Sequence, residues 1–155
     1  MRGGSKNMGE RKFGLGVVVC IFNRNFSKIL LLKRNEEKRK RWNADWGNIG
    51  GRLEFGETSE EACLREAREE ISLDLNKKDI QQVRIIETPN SELYGDCHAV
   101  HIVYAASIPE DTKIKINPES DGYEWFSLDN LPEKMLDKKE DIIEIANKSK
   151  KLFMR

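Results

Sequence analysis

Apolar residues first cluster in two short runs, GLGVVVCIF (14–22) and KILLLKR (28–34), rich in β-branched and aliphatic side chains and parted by the polar NRNFS. This pattern predicts two strands joined by a turn. The next stretch, NEEKRKRWNADWGNIGG (35–51), is too polar for a core and closes on paired glycines, so a loop is expected there. From Thr58 to Ser72 neither Gly nor Pro interrupts the chain, and TSEE offers a capping box, making 58–72 the strongest predicted helix. DIQQVRIIET (79–88), HAVHIVYAASI (98–108) and YEWFSL (123–128) alternate as strands do. LDNLPEKM reads as a turn with a short helical piece, and KKEDIIEIANKSKKLF carries Ile142, Ile143, Ile145 and Leu152 at helical spacing. Strands and helices mix without regular βαβ repeats. The expected fold class is therefore α+β, or a three-layer α/β/α sandwich, rather than a doubly wound sheet.

Composition narrows the class. A chain of 155 residues, 38% hydrophobic and 35% charged, suits one domain with a modest core, here 12–155. Residues 1–11 read as a disordered leader or a cloning remnant, with Met8 as a second candidate start. Lys plus Arg equals Asp plus Glu at 27 each, so no net field draws the chain to nucleic acid or a membrane. A small-molecule partner is expected instead, and a homodimer is left open. Three cysteines, Cys20, Cys63 and Cys97, lack CxxC or Cys/His spacing, which indicates neither a disulfide framework nor structural zinc and fits a reducing cytoplasm. No apolar run approaches the ~18–20 residues that span a bilayer, and the start of the chain lacks the apolar centre of a signal peptide.

The predicted helix carries REAREE (65–70). At ~100° per residue, Glu66, Glu69 and Glu70 share one face, beside an apolar stripe of Leu64, Ala67 and Ile71. Like charges at this spacing repel. Arg65 and Arg68 can compensate, as on any salt-bridged surface helix; so can a divalent cation that prefers oxygen ligands. These six residues alone favour the surface helix.

The flanking spacing reverses that preference. Gly51 is followed after five residues by Glu57 and after seven more by Arg65, Glu66, Ala67, Arg68, Glu69, Glu70, Ile71, Ser72 and Leu73. The run resembles the Nudix box, G-x5-E-x7-R-E-U-x-E-E-x-G-U with U aliphatic, in register at Gly51, Glu57, Arg65, Glu66, Glu69 and Glu70. Chance agreement at those fixed positions is on the order of 10⁻⁷ per starting residue. Ser72 departs from the motif, standing where its last Gly ends the helix at positive φ. With the preceding strands, WGNIGG and the distal YEWFSLDNLP, the resemblance covers residues 12–135.

The resemblance implies an α/β/α sandwich with a mixed sheet and a loop-helix-loop metal site. It also implies a pyrophosphohydrolase using Mg²⁺, with Mn²⁺ as substitute. Glu66, Glu69 and Glu70 would be the metal-binding and base-bearing carboxylates, joined by the main-chain carbonyl of Gly50, while Gly51, Glu57 and Arg65 would brace the loop. A further catalytic acid from a late loop is assigned to Glu119, with Asp121 and Glu124 as neighbours. Trp46, Asn48, Arg52 and Asp121 are the candidate substrate-binding residues. Trp42, Tyr123 and Trp125 offer other stacking faces and Asn43 another amide, with core burial as the competing reading for Trp46 and Trp125. The basic EKRKRW (37–42) could hold terminal phosphates or stay solvated. His98, His101 and Cys63 are read as packing or surface residues. The expected activity is MutT-like hydrolysis of a (d)NTP. ADP-ribose or a nucleotide sugar is the alternative substrate class, and a non-catalytic nucleotide sensor is the alternative of another kind.

Overall fold

β1 (Phe13–Phe22) and β2 (Lys28–Arg34) form the expected hairpin. The Asn23 side-chain oxygen closes its turn by accepting from the backbone N–H groups of Ser27 and Lys28, both at 2.9 Å. The computed structural model describes residues 12–91 and 96–154, so the leader expected over 1–11 lies outside the described residues. The remaining strands are β3 (Trp46–Gly47), β4 (Ile49–Arg52), β5 (Gln81–Ser91), β6 (Cys97–Ser107) and β7 (Ser120–Ser127). The helices are α1 (Glu36–Trp42), α2 (Ser59–Ile71) and α3 (Lys139–Phe153).

All seven strands join one mixed sheet, parallel between β1 and β6 and antiparallel elsewhere. β1 and β2 pair with each other only at Ile21–Leu30 and Phe22–Ile29. Beyond that point they part: β4 takes over β1 along residues 16–19, and β3 takes over β2 at Leu32 and Lys33. Residues 46–52 are thus wedged between the two strands, with Asn48 at the junction. β7 covers the outer edge of β2.

Strand alternation then assigns the layers. Val17, Val19, Ile21, Leu30 and Leu32 point to one face and bury with Ala62, Cys63, Ala67 and Ile71 of α2. Cys20, Phe22, Ile29 and Leu31 point to the other and bury with Ile142, Ile145 and Ala146 of α3. The result is the expected α/β/α sandwich. Cys20, Cys63 and Cys97 are all buried. Among the described residues no helix is long and apolar enough to cross a membrane.

Two local expectations are corrected. The segment expected as a loop over 35–51 contains α1, capped by Asn35, whose side chain accepts from Lys38 N–H, and closed by Asn43 in the left-handed region at φ 50°. None of its residues is buried, so it carries no apolar stripe; acids in its first turn, bases in its last, and Glu36–Lys40 and Glu37–Arg41 ion pairs support it instead. The short helical piece expected within 128–135 is turn and bend, held by a bridge between Trp46 and Met135.

α2 begins with the expected capping box, Thr58 accepting from Glu61 N–H and Glu61 from Thr58 N–H. It ends on Ser72 at φ 56°, the conformation a glycine holds without strain. The Ser72 hydroxyl donates to the Lys115 carbonyl at 3.2 Å, which offsets part of that strain. Ser72→Gly is expected to raise stability by ~0.5–1 kcal/mol, and Ser72→Ala, keeping the strain without the hydrogen bond, to lower it by a similar amount. Denaturant midpoints for the two variants in the opposite order would contradict this.

Candidate active site

The wedge, the exposed turn of α2 and α1 enclose a cleft of about 1110 Å³. Its walls include β1 from Gly14 to Val18, residues 48–52, Glu66, Glu69 and Glu119, with Lys38, Arg41 and Trp42 from α1. The segment before α3 and strands β5 and β6 complete it.

The Nudix-box residues divide into two networks. In the first, Arg65 donates to both Glu57 oxygens at 2.7 and 2.9 Å, to the Arg52 carbonyl at 3.0 Å and to Glu66 Oε1 at 2.7 Å. Arg65 thereby ties the loop after β4 to α2. Its guanidinium holds the Glu57 carboxyl down at about 2. In the second, Glu70 is 2% exposed: Oε1 accepts from Arg34 at 2.7 Å and Oε2 from Gly50 N–H at 2.9 Å. Arg34, also buried, donates further to Ser120 Oγ at 3.2 Å and to the Asn48 carbonyl.

Glu66 and Glu69 face the cleft and Glu70 lies behind them. The Glu69 side chain is 55% exposed, with one long contact to Arg65 at 3.4 Å. Among the described residues no three acidic, His or Cys side chains converge as they stand on a point that would hold a metal. Glu70 is turned into Arg34 and Glu69 toward solvent. The donors are nonetheless all oxygen, as a hard divalent cation requires. The glycines leave a cradle for close approach, since a Cβ at Gly51 would run into the Glu66 carboxylate and one at Gly50 into the Val17 carbonyl.

Burial pushes the Glu66 carboxyl up from 4.5 to about 7, with the Arg65 hydrogen bond opposing and the Glu70 charge reinforcing the rise. A carboxyl raised on folding favours the folded state while protonated. Its contribution is full below pH 4.5 and is lost as pH rises through about 7. Glu57 acts in the opposite sense and another window: its contribution holds above 4.5 and is lost as pH falls through about 2. Between about pH 5 and 8, melting in EDTA is expected to show a smaller loss of stability with pH for Glu66→Gln than for the unaltered chain. Equal slopes would contradict the assignment.

Of the other candidates, Asn48, Arg52 and Glu119 line the cleft, and Trp46 and Asp121 do not. Glu119 stands on its wall, paired with Lys38, which holds its carboxyl below the usual range. Asp121 pairs with Arg39 at 2.7 Å. Arg52 reaches the cleft with an exposed side chain. Asn48 is buried, donates to Asp137 Oδ2 at 2.9 Å, and leaves its own Oδ1 without a partner. Trp46 sits edge-on to Phe126 at 4.7 Å in the α3-side core, outside the cleft lining, so core burial describes it better than a stacking platform. Trp42, with Lys38 Nζ 5.5 Å from its ring centre, stands on the cleft wall instead. Arg34 and Asp137 were not singled out from the sequence. Asp137 lines the cleft, and burial pushes its carboxyl up. A basic strand end and an acid in a polar turn give no local signal of either role.

Comparison with known proteins bears on the family and the fold. A family model described as NUDIX domain matches residues 12–145. The mRNA-decapping enzyme subunit 2 of Saccharomyces cerevisiae is 29% identical over 116 residues, covering 75% of this chain but 11% of that protein. The chain therefore spans about a ninth of that relative's length. The nucleoside triphosphatase NudI of Escherichia coli is 27% identical over 119 residues, 74% of this chain and 83% of NudI. A MutT NUDIX hydrolase from Burkholderia pseudomallei superposes with a TM-score of 0.67 at 25% identity, over 86% of this chain and 97% of that one. With the motif in register, the sandwich around it and the family match spanning most of its length, the chain belongs to the NUDIX family.

Proposed function

We propose that the chain is a Mg²⁺-dependent pyrophosphohydrolase that cleaves a diphosphate linkage in a nucleotide, with a (d)NTP as the leading substrate class. One observation carries this reading: Glu66 stands against Gly51, and Glu69 joins them in lining a cleft with room for a nucleotide. Glu66, Glu69, Glu70 and the Gly50 carbonyl would hold the ion. When bound, Mg²⁺ supplies charge neutralisation at phosphate oxygens and acidifies water.

The chain's own groups supply the rest. Glu66, on the cleft wall, is placed to take a proton from an attacking water. Arg65 holds Glu66 Oε1 at 2.7 Å and so fixes the orientation of that carboxylate. Lys38 and Arg41 of α1, which also line the cleft, suit the charge of terminal phosphates, and Trp42 offers a face for a base. Asn48, with its unpartnered Oδ1 beside Asp137, suits the edge of a base. Glu119 and Arg52 complete the candidate contacts, at the mouth.

At about 1110 Å³ the cleft also has room for a two-part substrate, which favours ADP-ribose or a nucleotide sugar as the second reading. A panel of (d)NTPs, ADP-ribose and nucleotide sugars, assayed with Mg²⁺ for mononucleotide, phosphate and pyrophosphate, separates the two. Tight binding without turnover of any member would point to a sensor and contradict both.

A further inference from the structure

Arg34 lines the cleft and pairs with the buried Glu70, yet nothing in the motif spacing accounts for Arg34. Its guanidinium bridges three separate pieces of chain. Nη1 meets Glu70 Oε1 at 2.7 Å and Ser120 Oγ at 3.2 Å, while Nη2 meets the carbonyl of Asn48. The other Glu70 oxygen takes the Gly50 N–H at 2.9 Å, two residues further along the same strand junction. A closed ring results, running from Arg34 to Glu70, to Gly50, along the backbone to Asn48, and back to Arg34. It contains a carboxylate of the donor set proposed above and fixes the Gly50 nitrogen, within the residue whose carbonyl is another member of that set. Both side chains of the pair are at least nine-tenths buried, at 6% and 2% exposure, so neither is free to adjust by swinging into solvent.

We propose that Arg34 is a positioning residue for the metal site: through the Asn48 carbonyl, and through Glu70 to the Gly50 N–H, it fixes the course of residues 48–50 and with it the Gly50 carbonyl. The role needs the planar fork. A lysine at 34 keeps the charge but lacks the rigid fork whose separate nitrogens meet the Glu70 carboxylate and the Asn48 carbonyl. The inference rests on the metal-site reading, and the experiment distinguishes the two.

Mn²⁺ binding to the nucleotide-free protein, followed by electron paramagnetic resonance, is compared for the unaltered chain, Glu69→Gln and Arg34→Lys, with thermal melts of each. The unaltered chain is expected to bind Mn²⁺ and Glu69→Gln to bind it more weakly. Arg34→Lys is expected to weaken binding about tenfold, within the range for residues that orient metal ligands, while still melting cooperatively. Arg34→Lys with a lower Tm and undiminished Mn²⁺ affinity would make Arg34 structural and overturn the positioning role alone. No Mn²⁺ binding by the unaltered chain would overturn the metal site and this inference with it. Should Arg34→Lys fail to fold, Ser120→Ala removes one hydrogen bond from the same guanidinium. It is expected to weaken Mn²⁺ binding two- to threefold, roughly the loss of one weak orienting contact, and an unchanged affinity would again overturn the role.

Discussion

Glu69→Gln is expected to lower Mg²⁺-supported turnover on the order of 10²–10³-fold, the scale of losing one charge-stabilising group at a reacting centre. Stability should scarcely change. The side chain is 55% exposed and its one contact, with Arg65, is long at 3.4 Å, so the folded state loses little when the charge goes. That combination makes Glu69 the cleanest probe of the site. Initial rates at saturating substrate, paired with a thermal melt, measure both quantities; turnover equal to that of the unaltered chain would remove Glu69 from the metal set.

Glu70→Gln is expected to behave differently. Viewed on the helix face alone, Glu70 is one of three equivalent carboxylates whose neutralisation leaves the fold intact. Its burial at 2% and its 2.7 Å bond to a buried Arg34 change that expectation. Removing one member of a buried ion pair leaves the other charge uncompensated, at a cost of ~3–5 kcal/mol. The amide oxygen of Gln still accepts one hydrogen bond, which places the loss toward the lower end of that range. For a chain of 155 residues this corresponds to a fall in Tm of roughly 6–12 °C. Melting curves of Glu69→Gln and Glu70→Gln recorded side by side test the division, and coincident curves would contradict it.

The contrast between these two glutamates shows what could be read in the chain. The Nudix box was legible because its roles depend on residue type at fixed spacing within one loop and one helix. The capping box at Thr58 and the left-handed close at Ser72 were legible for the same reason. The strands were legible because alternation records the two buried faces of the sheet. α1 was hidden because helices are usually recognised by an apolar stripe, and one supported by caps and ion pairs has none. The Arg34–Glu70 pair was hidden because it joins positions 36 apart, brought together only when β1 and β2 separate around residues 46–52. Trp46 shows the converse: an aromatic beside the glycines suggested stacking, but strand register turned it toward Phe126 and the α3-side core.

In the proposed reaction, water activated at the α2 face of the cleft attacks a phosphorus of a nucleotide with Mg²⁺ present. Mass spectrometry of products formed in ¹⁸O-labelled water tests it most directly. The predicted result is one ¹⁸O in a single phosphate-bearing product, dependent on Mg²⁺ and abolished by EDTA. Nucleotide recovered uncleaved at every substrate tried, or label incorporated equally with and without the metal, would contradict it.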